Sequence, residues 1–328
     1  MSDWRYRFAE QRGTLLAIAI FLFMFVIYVS NHPAGFTANV VQTAANKGVL
    51  LALLAMAQTM VVLTAGIDLS VGMVFIFTNC LASYIIAGSG ATAALGIVGV
   101  LVTGFACGAL NGLIVIYGRL QPIVTTIATG SILYGIALWL RPQPGGSDDF
   151  FTPIARAMTT KLPGGIPVSL VALLVIVLVV WVPFRRSALG RAVYATGSSE
   201  VAAYMSGVPI RQAKFAAYCL SGLLAATGGI YITFITRSGQ ASYADGSTYT
   251  LYSIAAVVLG GVSLFGGVGS AIGAIFGALA FRTIGDLIFV FDLEPLWQTL
   301  FQGVVLLLAV CIGSARLFQV RNRLDLFS

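Results

Sequence analysis

Charge is what this sequence has least of. Asp, Glu, Lys and Arg make up 9% of its 328 residues, where a soluble domain carries roughly 25%. Hydrophobic residues make up 59%, in runs long enough to cross a bilayer. That excludes an ordinary soluble domain and predicts an all-α polytopic membrane protein. The period-2 alternation of a membrane barrel is missing. Histidine occurs once. His32 follows the first apolar run with no partner cluster, so it reads as a loop residue and a zinc-peptidase pattern is excluded. Cys80, Cys107, Cys219 and Cys311 lie inside apolar runs without metal-ligand spacing. They read as free thiols packed like small hydrophobes. No GxxxxGK followed by Ser or Thr occurs, so P-loop hydrolysis of ATP is not expected here. No catalytic constellation appears either: Asp68 has no second carboxylate at membrane depth. The chain is therefore not read as an enzyme, and no metal or cofactor is expected in it. Its net charge of +7 implies no nucleic-acid partner, because the basic residues sit at the ends of apolar runs, where orientation signals belong.

Ten spans are expected. Arg5, Arg7 and Arg12 precede a run from Thr14 to Val29 that lacks a small-residue cleavage site and is kept as the first span. The others are Lys47 to Ala65, Val71 to Ala87, Thr92 to Tyr117, Ile123 to Leu140, Val168 to Phe184, Phe215 to Ile235, Tyr249 to Gly260, Ser270 to Val290 and Trp297 to Gly313. Residues 1–328 read as one transmembrane domain. N-terminal spans occupy 13–140, an outer Pro/Gly-rich loop 141–167, an inner segment 185–214, and C-terminal spans 215–314. An even number of spans puts both termini on one side. Basic residues test this. Arg5, Arg7, Arg12, Arg119, Arg185, Arg186, Arg191, Arg211, Lys214, Arg316, Arg321 and Arg323 fall inside; Lys47, Arg141, Arg156, Lys161 and Arg237 fall outside. The excess belongs on the cytoplasmic side.

Gly104, Gly108 and Gly112 are four apart, as are Gly269, Gly273 and Gly277. Such stripes let another helix approach closely, and their recurrence suggests two related halves. Two Gly-flanked stretches break the spans. In the first, Gly66-Ile67-Asp68-Leu69-Ser70-Val71-Gly72, Gly66 is expected to end one span and Asp68 or Ser70 to cap the next. The same break can line a pathway or gate. The second runs from Gly260 and Gly261 through Gly266 and Gly267 to Ser270. It is no dinucleotide loop, since no βαβ unit surrounds it. Inside the spans, Gln58, Asn79, Asn111, Thr125, Thr126, Ser221, Arg282 and Gln298 can bond helix to helix. Amides and hydroxyls of this kind can also pass a neutral, hydroxyl-rich solute. Arg282 and Asp286 are four apart and can pair, as structure or as an outer gate.

The segment from Arg185 to Lys214 carries five basic residues and one acid, Glu200. Its middle, Ser198 to Met205, reads as a short helix capped by Ser198 or Ser199. Gly207 stops it and Pro209 opposes a restart. Such an element on the inner face is one that another protein can push.

Four blocks carry a family resemblance. They are LTAGIDLSVG (Leu63–Gly72), GALNGLIVIYGRLQPIVTTIAT (Gly108–Thr129), the block Gly190–Val208, which ends in YATGSSEVAAYMSGV, and IAAVVLGGVSLFGGVGSAIGAIFGAL (Ile254–Leu279). In this order and spacing they resemble permease subunits of bacterial ABC sugar importers of the ribose/xylose/galactose type. Branched-chain amino-acid permeases look related. The resemblance implies a multi-pass subunit of the bacterial cell inner membrane, paired with a second permease copy or a homologous permease and surrounded by membrane lipid. It also implies a cytoplasmic ABC ATPase that holds ATP and Mg, and a periplasmic sugar-binding protein. Gly190, Arg191, Gly197, Glu200, Ala202, Ala203 and Gly207 then couple to the ATPase. The E-A-A-x-x-x-G pattern of importers carries an inserted position here. Gly66, Asp68, Ser70, Gly72, Asn79, Asn111, Thr125, Gly260, Gly261, Gly266 and Gly267 become gate or pathway positions. Where the family has P-P-F, this sequence reads Gln121-Pro122-Ile123. The alternatives are an ion-coupled secondary transporter, for which Asp68 is the only membrane acid available, a branched-chain amino-acid or nucleoside-type ABC permease, and a membrane-embedded enzyme or scaffold.

Overall fold

The computed structural model describes residues 3–87, 90–146, 151–308 and 311. Most of 309–313, the end of the tenth expected span, and Arg316, Arg321 and Arg323 lie outside them. The helices are α1 (Asp3–Asn31), α2 (Ala38–Val62), α3 (Val71–Ile85), α4 (Gly90–Tyr117), α5 (Pro122–Leu140), α6 (Phe151–Thr159), α7 (Val168–Arg186), α8 (Ala188–Ser198), α9 (Glu200–Met205), α10 (Ile210–Thr236), α11 (Tyr243–Leu259), α12 (Ala271–Val290) and α13 (Leu296–Leu308). Among the described residues, α1, α2, α4, α5, α7, α10 and α12 are long and apolar enough to cross a membrane, and α3 and α13 are shorter apolar helices. The chain is an all-helical, multi-pass membrane protein. Each expected span overlaps a helix, but α11, where the eighth is expected, is not among these apolar helices, and the tenth runs past the described residues.

Several boundaries differ from expectation for local reasons. Helix α2 starts at Ala38 because Thr37 Oγ1 accepts the Val40 amide at 3.4 Å. Lys47 therefore lies within a helix, not in an outer loop. Helix α11 starts at Tyr243, where Ser242 Oγ accepts the Asp245 amide. The 141–167 loop contains α6 and a two-residue strand, β1 (Gly145–Gly146), that pairs antiparallel with β2 (Ser238–Gly239). Helix α7 widens into a π turn at Val177–Trp181, just before Pro183. A wider turn relieves the clash that a proline ring makes with the carbonyl four residues back.

Helix α2 is apolar on all sides and sits at the centre, its face from Val49 to Leu63 buried without a gap. Helix α10 packs along it. The remaining contacts are reciprocal. α4 and α3 pack on α10, while α12 and α11 pack on α2; α3 meets α4 as α11 meets α12. Exchanging α2–α3–α4 with α10–α11–α12 maps this pattern onto itself, the arrangement expected of a repeated three-helix unit. The glycine stripes sit at two crossings that this exchange does not interconvert. Gly104 and Gly108 face Gly222 and Tyr218 of α10, and Gly273 and Gly277 face Gly260 and Ala256.

Candidate functional site

The central segment folds as two short helices. Ser187 caps α8 by accepting the Gly190 amide at 3.0 Å, and Ser199 caps α9 by accepting the Ala202 amide at 3.3 Å. Gly207 ends α9 in a left-handed conformation (φ +73°), with the Val208 amide bonded back to the Ala203 carbonyl. Pro209 does not delay the next helix. It sits at the N-cap of α10, where its missing N–H costs nothing, and α10 begins at Ile210.

Where α8 ends, three backbones meet. A Cβ on Gly197 would lie 1.9 Å from the Leu63 carbonyl oxygen, at the first break, and 2.5 Å from the Gly267 nitrogen, in the second. The Gly267 amide itself donates to the Leu63 carbonyl at 3.0 Å. Gly266 lies against Ala65 and Gly197, and Tyr194 of α8 donates its hydroxyl to the Gly269 carbonyl at 2.7 Å. Gly266, Gly267 and Gly269 all have positive φ, which only glycine adopts at no steric cost. On the far side of the second break, Gly13 of α1 touches Gly261. The central segment thus seats directly on both breaks.

The first break departs from expectation in detail. Ala65, not Gly66, takes the left-handed turn (φ +61°), and the Gly66 amide then reaches the Val61 carbonyl. Asp68 does not cap α3, and neither does Ser70's side chain. Asp68 is buried and accepts three bonds: from the Ser70 amide at 2.9 Å, the Ser70 hydroxyl at 2.6 Å and the Ser221 hydroxyl at 3.2 Å. Asn111 donates to Ser70 Oγ at 2.8 Å. The Leu69 and Gly72 amides go to Thr126 and Thr250 hydroxyls. Side chains from α4, α5, α10 and α11 thereby replace the missing helical hydrogen bonds, which is how irregular backbone survives at membrane depth. Thr125 lies beside this network, buried, with no partner for its hydroxyl among the described residues. Asn79 lies apart, holding the α10–α11 connection by bonds to Thr233, Ser238 and Gln240.

Of the coupling positions, Gly190, Gly197 and Ala203 are buried, while Arg191, Glu200, Ala202 and Gly207 face solvent. Glu200 pairs with Lys214 at 2.8 Å. The expected Arg282–Asp286 pair does not form. Asp286 accepts from Lys47 of α2 at 3.3 Å, because α2 extends upward past α12 and brings a closer cation.

Residues 40–310 match the family described as branched-chain amino acid transport system / permease component. The chain belongs to that family. Among curated relatives, the ribose import permease protein RbsC of Bacillus subtilis (strain 168) is 33% identical over 89% of this chain and 90% of its own. RbsC of Escherichia coli (strain K12) is 31% identical over 93% of this chain and 94% of its own. The fructose import permease protein FrcC of Rhizobium meliloti is 34% identical over 78% and 72%. No solved structure matches.

An exposed apolar face of the permease's central segment escaped the sequence reading. Val201, Tyr204 and Met205 on α9 are 73–81% exposed. The signal was present: their spacing places all three on one face of a short polar-flanked helix.

Proposed function

We propose that this chain is the membrane permease subunit of an ATP-driven, binding-protein-dependent sugar importer of a bacterial inner membrane. The relatives named for ribose and fructose import support a monosaccharide as cargo. Amides and hydroxyls dominate the polar side chains between the helices, which suits a neutral solute.

The observation that carries the coupling reading is the three-way junction at Gly197. An ABC ATPase on the cytoplasmic face docks on the exposed Val201–Tyr204–Met205 face of α9. Its ATP- and Mg-driven closure presses α8 and α9 inward. Because Gly197 touches Leu63 and Gly267 with no side chain between, the push reaches both breaks without being absorbed by rotamer changes. Helices α3 and α12 reorient about them, and access alternates for a sugar delivered by a periplasmic binding protein. A second permease, identical or homologous, completes the pathway. Both termini are cytoplasmic in this arrangement.

The test is purification of the tagged chain in mild detergent, followed by reconstitution with the partners that accompany it. Co-purification of an ATPase, and sugar uptake that requires both ATP and the binding protein, is the expected result. A chain that purifies alone and moves solute without ATP overturns the proposal.

A further inference from the structure

A groove of about 510 Å³ opens between α1, α2, α7 and α12. Its walls are apolar, with Phe21, Phe25, Leu174, Phe276 and Leu279 among them. Along α12 it extends from Ile272 to Asp286, about 21 Å at 1.5 Å per residue. One leaflet of a hydrocarbon core is about 15 Å deep. Between Ile272 and Arg282 the α12 wall is apolar, about 15 Å at 1.5 Å per residue, the depth of one leaflet. Polar groups enter it only at the end away from the central segment: Arg282, Thr283 and Asp286. Asp286 is already held by Lys47. Arg282 has no ion pair or hydrogen bond among the described residues, and it is only half-buried. Lys47, Asp286 and Arg282 together leave one positive charge at the polar end of an apolar groove.

We propose that this groove holds a single phospholipid with an anionic headgroup, its acyl chains against the phenylalanines and its phosphate on Arg282. An arginine well below the end of a spanning helix is costly unless its side chain extends toward the interface and meets an anion. A guanidinium also matches a phosphate with two parallel N–H bonds, which a lone water does not replace. Water gains nothing along the apolar walls, so acyl chains are the occupants that fit both ends. This inference rests on the membrane-spanning fold alone and is independent of what the permease carries.

The test is native mass spectrometry of the full chain in mild detergent. It is supplied with equal amounts of phosphatidylglycerol and phosphatidylcholine bearing identical palmitoyl-oleoyl chains. One phosphatidylglycerol per chain is expected to be retained, about fivefold over phosphatidylcholine, the preference that one basic residue near an anionic lipid confers. Arg282→Leu should bring that ratio close to unity while a lipid still binds. Leu174→Trp, which fills the groove from an exposed wall position, should remove both lipids. If that variant does not fold, Ala44→Phe on the opposite wall serves the same purpose. Equal retention of the two lipids by the unmodified chain overturns the proposal, as does an unchanged ratio in Arg282→Leu. Loss of self-association in the groove-filling variants, with the lipid still bound, would assign the groove to a second copy instead.

Discussion

Gly197 and Leu63 touch backbone to backbone: a Cβ on the glycine would sit 1.9 Å from the leucine's carbonyl oxygen. No rotamer change relieves a contact of that kind. Gly197→Ala must move α8 away from the first break, at a cost typical of overpacking, about 1–3 kcal/mol. Transport is expected to fall at least tenfold, since a coupling element displaced by about an ångström can lose that much or more. Gly207→Ala is the control. Its Cβ meets nothing within 4 Å, so only the left-handed strain of roughly 1–2 kcal/mol remains, and Gly207→Asn should recover part of it. Thermal unfolding in detergent, read beside uptake in proteoliposomes, separates the two. Equal uptake in Gly197→Ala and Gly207→Ala would remove the junction from the mechanism.

The exposed face of α9 should dominate ATPase assembly. Tyr204→Asp or Met205→Asp is expected to weaken co-purification of the ATPase by on the order of thirtyfold, the effect of one interface hot spot of about 2 kcal/mol. Glu200→Gln should change it little, because Glu200 is exposed and a surface pair such as Glu200–Lys214 contributes roughly 0.2–1 kcal/mol. Quantitative pull-down of the ATPase checks both. The reverse order would place coupling on the acid.

Asp68 should be replaceable by its amide. Asn keeps an oxygen for the Ser70 amide, and its NH₂ can donate to the Ser221 hydroxyl, so Asp68→Asn is expected to transport at near the original rate. Asp68→Leu strands Ser70, Ser221 and the Ser70 amide without an acceptor, at about 1–3 kcal/mol for each unsatisfied group. That variant should express poorly. ATP-dependent uptake measured in Asp68→Asn is the decisive reading. Its collapse, with folding intact, would favour an ion-coupled carrier.

Lys47 and Asp286 should prove unequal partners. Asp286's side chain is 8% exposed and that of Lys47 45%. Lys47→Met leaves a buried carboxylate unpaired, a loss approaching the roughly 3–5 kcal/mol of a broken buried pair but reduced by the half-exposed lysine. Lys47→Met with Asp286→Leu should regain most of it. Unfolding of the single and double variants forms the cycle that tests this. A double variant no more stable than Lys47→Met alone would contradict it.

The sequence by itself determined that this chain is a bundle of membrane helices, and its expected spans each overlap a helix. Low charge and long apolar runs leave no other way to satisfy the backbone in lipid. It also located both breaks, the capped helix at Glu200–Met205 and the glycine stripes, because glycine and serine act on the chain within a few residues. Only the tertiary structure decided what those local features touch. Lys47 takes Asp286 from Arg282 because α2 begins nine residues earlier than its charge suggested, a start set by one threonine cap. Ala65 takes the left-handed turn beside a glycine better suited to it, because neighbouring helices hold the break in place. The meeting of Leu63, Gly197 and Gly267 joins positions as far apart as 63 and 267, and contacts of that range leave no periodicity to read. They follow from the reciprocal packing of α2 and α10, which brings both breaks to the same end of the bundle under the central segment.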